Sequence, residues 1–332
     1  MVGNQSNACR LGRESLDIGH PRLFLIGLMM ASVSVSALMA QELDPKAGAK
    51  SLDPATFRAV SAIFRYDQSI PLEAKVLEQI ETGSYVREKI VFTGVRGGRV
   101  PCYLAYPKSP KGSLPLILII HAGGSSKEAW WVADSFERGK LLCEKLLQLG
   151  FAILALDGQF HGERSINNDF LPLAPMVYDK KWFFRVRDGI METVGDYFRA
   201  IDYLKSRPEV DITRIGVAGH SMGGVIALLV AALSPDVKAA VGCVAACAYS
   251  WMYPATPVNM AQGITAPTLL LAARSDEWFD VDSSQRLLAA LKVKNKKLEF
   301  YEGGHRLPED NISRTVDWLR QYMGKGPSKP PH

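Results

Sequence analysis

From about residue 87 onward, short uninterrupted apolar runs alternate with stretches of helical period, and no other feature restricts the chain as much. The runs cover residues 116–120, 151–156, 214–218, 239–243, 268–272 and 298–301. Runs without polar alternation belong to strands covered on both faces by crossover helices. Helical spacing is expected between them over 136–149, 189–206, 222–233, 283–291 and 308–322, with Asp282 and Gln285 as a capping pair for the fourth. Ahead of the first run, 89–93 and 100–106 flank the turn Arg96-Gly97-Gly98 and read as a hairpin. The expected fold is α/β: a mainly parallel, doubly wound sheet of about eight strands with helices on both faces. No repeat and no second pattern of this kind occurs, so 87–323 form one catalytic-sized domain, followed by a Lys- and Pro-rich tail at 324–332 that reads as disordered. Residues 41–86 are expected to pack on the core as a helical extension, led by Asp53 and Pro54 as N-cap and first helical position.

Composition removes whole classes of function. At 47% hydrophobic and 22% charged, the chain is too apolar and too balanced to be disordered. Five cysteines in 332 residues cannot make a disulfide-dense scaffold. The net charge of +5 is spread along the sequence, so no nucleic-acid partner is expected. Arg22 precedes a charge-free stretch, 23–40, that ends in small residues before Gln41-Glu42. Residues 1–40 therefore read as a secretory signal, cleaved after about Ala40 or Ala37, which places the protein in a periplasm or outside the cell. An uncleaved anchor is the alternative, since ~18 apolar residues can just span a bilayer. Ser32, Ser34 and Ser36 keep the stretch only mildly hydrophobic, which favours cleavage and leaves no membrane span. Of the remaining cysteines, Cys243 and Cys247 lie in an apolar run, where buried free thiols are expected.

On a sheet of this kind, reactive groups collect at the carboxyl ends of the strands. Gly219-His220-Ser221-Met222-Gly223-Gly224 follows the run at 214–218 and opens a helical segment. That is a G-x-S-x-G elbow in strand–turn–helix context, where a tight turn lifts the serine hydroxyl above the sheet. A hydroxyl needs a base to become a nucleophile. Of six histidines, only His305 lies downstream of Ser221 within the core, in a Gly-Gly-His loop after the last run. The base needs a carboxylate to orient it, and Asp276, just past the run at 268–272, is the first candidate, with Asp280 held in reserve. Backbone donors for a developing oxyanion are expected from Gly123, in His121-Ala122-Gly123-Gly124, and from Met222.

With these stretches in hand, the chain resembles the α/β-hydrolase superfamily, in particular its dienelactone hydrolase/acetyl xylan esterase-like group. The matching stretches are 98–107, 121–124, 157–165, 207–216, 219–224, Asp276 and Gly304-His305, and they span about residues 70 to 320. Two departures stand out. Dienelactone hydrolase itself uses a cysteine where this chain has Ser221, and Ala122 occupies a position where many relatives carry glycine. The resemblance implies a serine esterase for short acyl groups, possibly acetyl esters of carbohydrates, acting on a small-molecule substrate without a metal or other cofactor. A peptidase or a thioesterase/acyltransferase using the same three residues, or a non-catalytic binding module on this fold, are the alternatives. Trp251, Trp278 and His161 are expected to border the substrate, and the aperiodic segment 165–188 is placed to form a lid.

Overall fold

The computed structural model describes residues 50–110, 112–247 and 249–324. The expected signal segment, the start of the N-terminal extension and the tail beyond Gly324 lie outside them. Nine strands form one sheet: β1 (Lys75–Glu81), β2 (Tyr85–Thr93), β3 (Arg99–Pro107), β4 (Leu114–Ile120), β5 (Ala152–Leu156), β6 (Val210–His220), β7 (Val237–Cys243), β8 (Thr268–Ala273) and β9 (Lys296–Tyr301). Their spatial order is β1-β2-β3-β5-β4-β6-β7-β8-β9. The pairings β1/β2, β2/β3 and β3/β5 are antiparallel, and every later one is parallel.

The helices are α1 (Pro54–Ser61), α2 (Gly139–Gln148), α3 (Leu173–Tyr178), α4 (Phe183–Leu204), α5 (Met222–Leu233), α6 (Pro257–Met260), α7 (Val281–Ala290) and α8 (Asp310–Met323). The central strands β4 and β5 are buried along their whole length. Two apolar layers lie on the faces of the sheet. One gathers Leu116, Leu118, Leu154 and Val217 with Val194, Ala200 and most of α5; the other gathers Ile117, Ile119, Ile153 and Val241 with Leu142, Leu146 and Leu319. Alternate residues of one strand thus feed opposite layers, as the pleat requires. Each such Leu or Ile contributes ~1.5–3 kcal/mol through burial.

The hairpin expected around Arg96-Gly97-Gly98 is present, with Thr93 opposite Arg99 and Gly97 at φ 80°. Asp53 caps α1 by accepting the amides of Ala55 and Thr56 at 2.9 and 3.1 Å. Two expectations need correction. Residues 75–81, expected within a helical extension, are strand β1 at the sheet edge, which extends the sheet to nine strands. All seven of its residues are exposed, so neither face imposed the apolar alternation that marks a half-buried strand. The cap of α7 is Asp280, whose carboxylate accepts the Ser283 amide at 2.7 Å, and not Asp282. The helix begins two residues before the capping-box pattern indicates, and Asp282 pairs with Arg286 instead.

Candidate active site

Loops that leave β4, β6, β8 and β9 meet at the carboxyl edge of the sheet. In the turn from β6 to α5, Ser221 stands at φ 56°, ψ −121°, a region that side chains rarely adopt. Its amide donates to the Cys243 carbonyl at 2.8 Å and its carbonyl accepts the Val225 amide at 3.0 Å, which locks the turn between β7 and α5. Close approach dictates the flanking glycines. A Cβ on Gly219 would stand 2.1 Å from the Gly223 carbonyl oxygen, and one on Gly223 would stand 2.1 Å from the Ile120 carbonyl oxygen.

His305, after β9, reaches back to this turn. Its Nε2 lies 2.7 Å from Ser221 Oγ, while Nδ1 lies 3.0 and 2.9 Å from the two carboxylate oxygens of Asp276. With Nδ1–H donating to the carboxylate, Nε2 is left to accept the hydroxyl proton. Asp276 also accepts the amides of Trp278 and Phe279 at 2.8 and 3.1 Å. Burial works to raise this carboxyl's pKa. The imidazole hydrogen bond, the two amides and the imidazole charge outweigh it and hold the group below its ordinary value. The Asp276 side chain is 1% exposed and that of His305 11%, so the relay is dry at its acid end and slightly open at its base.

The backbone of His305 is held from both sides. Its amide donates to Glu277 Oε2 at 3.1 Å, and its carbonyl lies 3.2 Å from His220 Nε2, which donates to it. Burial pulls His220 down to about 4, so the ring is neutral and serves as a fixed prop. Of the donors expected for an oxyanion, Gly123 and Met222 both border the cavity beside Ser221. The neighbouring Ala122 amide is already engaged, donating to Glu137 Oε1 at 2.9 Å. The amides of Gly123 and Met222 engage no other group among the described residues.

The cavity that opens on Ser221 holds about 420 Å³, and Trp251 and Trp278 both line it. His161 does not. It is buried, its Nδ1 lies 2.8 Å from the Gln159 carbonyl, and its ring packs against His121 at 5.1 Å. Its neighbour Glu163 likewise turns away, to Lys127 at 2.6 Å and Lys89 at 3.0 Å. Lys127 in turn pairs with Asp157 at 2.9 Å, both essentially without exposure. The loop after β5 is thus a hydrogen-bonded support for the rim, stiffened by buried charges, and His161, expected to border the substrate, belongs to that support. Asp280, the reserve carboxylate, is occupied as the cap of α7.

The dienelactone hydrolase family model matches residues 100–306, more than half of the chain. The chain belongs to the dienelactone hydrolase family. A lactone is an internal ester, and this member of the family is a carboxylic ester hydrolase. An inferred carboxymethylenebutenolidase of Escherichia coli K12 is 26% identical over 258 residues, covering 70% of this chain and 88% of that protein. An acetyl xylan esterase from Paenibacillus sp. R4 superposes with a TM-score of 0.62 at 20% identity, covering 82% of this chain and 96% of the other. A cold-adapted esterase from an Arctic intertidal metagenomic library gives 0.59 at 21% identity, over 74% and 98%. These structural likenesses show the α/β-hydrolase fold.

Several residues of this dienelactone hydrolase family site escaped the sequence reading. Glu137 holds the loop before Gly123, yet it is one glutamate among many and carries no motif. Leu173 and Val177 of α3, with Val186 and Ile190 of α4, wall the cavity. Leu173, Val177 and Val186 fall within the segment 165–188 and Ile190 just beyond it, and as ordinary apolar residues they are unmarked in the sequence.

Proposed function

We propose that the protein is a serine esterase working through an acyl-enzyme on Ser221. The observation that carries this reading is the relay of 2.7 and 2.9 Å from Ser221 through His305 to Asp276, next to two amides that have no partner among the described residues. In it, Ser221 Oγ attacks the ester carbonyl carbon as His305 Nε2 takes its proton. Asp276 holds the Nδ1 tautomer and stabilises the imidazolium, while the Gly123 and Met222 amides donate to the oxyanion. His305 then returns the proton to the departing alcohol oxygen. Water, deprotonated by the same nitrogen, releases the acid and restores the serine. The substrate is a small-molecule ester. The acetyl group implied by the resemblance would fill only a small part of the cavity, and a carbohydrate alcohol would have to lie at the rim, where Glu277 and Arg306 stand.

A fluorophosphonate should label Ser221 in an active preparation, as read by peptide mass mapping, and Ser221→Ala should lose the label and about 10⁴-fold or more in kcat. Retained turnover in that variant would sink the mechanism. The charge-free stretch at 23–40 supports export as part of the same proposal. Label confined to the cytosolic fraction of probe-treated cells would overturn that part alone.

A further inference from the structure

The cavity beside Ser221 is lined mostly by apolar side chains, and among its described lining residues only His305, Glu277 and Arg306 are basic or acidic. Ser221, His305, Glu277 and Arg306 stand at its mouth. Inward, the wall next to His305 is a ladder of rings. Phe279 lies 5.6 Å from the His305 centroid, Tyr249 5.9 Å from Phe279 and Trp251 5.6 Å from Tyr249, while Phe183, which does not line the cavity, stacks behind Trp251 at 5.5 Å. Facing it are Leu173, Val177, Val186 and Ile190, over a floor of Met222 and Val225. Beyond the Tyr249 hydroxyl and the Trp251 indole N–H, sugar hydroxyls placed there would lose water and find few partners. An acetyl group would leave most of the roughly 420 Å³ unfilled.

The chemistry decides which half of the ester goes inward. The leaving oxygen has to sit beside His305 Nε2 to receive its proton, and His305 borders the open rim formed by Phe136 and Trp278, which are 37% and 41% exposed. The group that stays on Ser221 is therefore the one directed past Met222 into the apolar depth. We infer that this depth is an acyl pocket, and that the preferred substrates are esters of apolar acids several carbons longer than acetate. This inference rests on the serine-esterase reading and adds the acyl class to it.

The test is a series of nitrophenyl esters from acetyl to dodecanoyl on the wild-type protein, beside a series of alkyl acetates in which only the alcohol lengthens. If each added methylene is buried, kcat/KM should rise about fourfold per methylene from acetyl through hexanoyl before levelling off. The alkyl acetates should show no comparable rise. Ile190→Trp, which fills the inner end, should lower the hexanoyl-to-acetyl ratio of kcat/KM by tenfold or more. The wild-type series stands even where that variant is poorly folded. Acetyl as the best acyl group, or a length dependence on the alcohol side, would overturn the acyl pocket while leaving the serine esterase intact. No turnover of any ester and no fluorophosphonate adduct would instead remove the reading beneath it.

Discussion

Glu137 shows how one side chain outside the relay can govern it. It is 3% exposed, and Oε1 takes the Ala122 amide while Oε2 is buried without a hydrogen-bond partner among the described residues. A buried carboxylate half-satisfied in this way is retained at a cost, which the neutral amide of glutamine would lower. Its effect is to hold Ala122 next to Gly123, which borders the cavity. Glu137→Ala leaves the Ala122 amide unpaired and frees the loop to turn. The expected outcome is a ten- to hundredfold fall in kcat, roughly the range below loss of a whole oxyanion donor, with KM moving less. Glu137→Gln keeps the carbonyl acceptor and should restore most of the rate. A defect shared equally by both variants, or one confined to thermal stability, would refute this positioning role. Ser221 and His305 were legible because their chemistry demands a particular residue at a strand end. Glu137 was not, because a buried acceptor can come from any element that happens to pass by.

At the scale of the element, the turn from β6 to α5 and the hairpin between β2 and β3 both depend on glycine, for different reasons. Gly223 is fixed by contact, since its Cβ would collide with backbone of β4 that has no freedom to move. Gly97 has open space around it and is fixed by φ alone. Gly97→Ala should therefore cost only ~1 kcal/mol in urea unfolding. Gly223→Ala must displace β4 or the elbow and should cost ~3 kcal/mol or more, or prevent soluble expression. Equal costs would mean that the elbow adapts more freely than its contacts allow. The same contrast explains what the sequence revealed about elements. Runs such as 116–120 and 152–156 are apolar on both faces because both faces are covered, so they declared themselves. Edge strand β1 is covered on neither, and its Lys, Leu, Glu and Gln are good helix formers. The start of α7 was misplaced by two residues because Asp280 and Asp282 offer the same capping chemistry, and only the path of the loop chooses between them.

For the whole molecule, the histidines that take no direct part in the relay contribute to the response to acid. His121, His161 and His220 are all buried, and burial lowers each below its ordinary value, His161 to about 3 and His220 to about 4. His161 Nε2 has no partner among the described residues, so a second proton there would be stranded. The unfolded chain protonates these rings near 6.5, and the folded chain accepts the proton only at lower pH, about 3 at His161 and about 4 at His220. A depressed folded pKa means that the stabilisation is complete above pH 6.5 and is lost as pH falls from there toward the folded value. Asp276, whose carboxyl is also depressed, loses its contribution only at more acid pH, below its ordinary 3.8. Glu192 and Asp196 act in the opposite sense, because burial raises their carboxyls despite Arg164 beside them. A comparison with a single-histidine variant cancels these other groups. His161→Asn can keep a donor toward the Gln159 carbonyl while removing the titration. Between pH 7 and pH 4.5, unfolding free energy from urea titrations should fall by about 2 kcal/mol less in the variant than in the wild type. Superimposable pH profiles would show that the ring at 161 accepts its proton in the folded state, and that the rim support after β5 is wetter and looser than its hydrogen bonds imply.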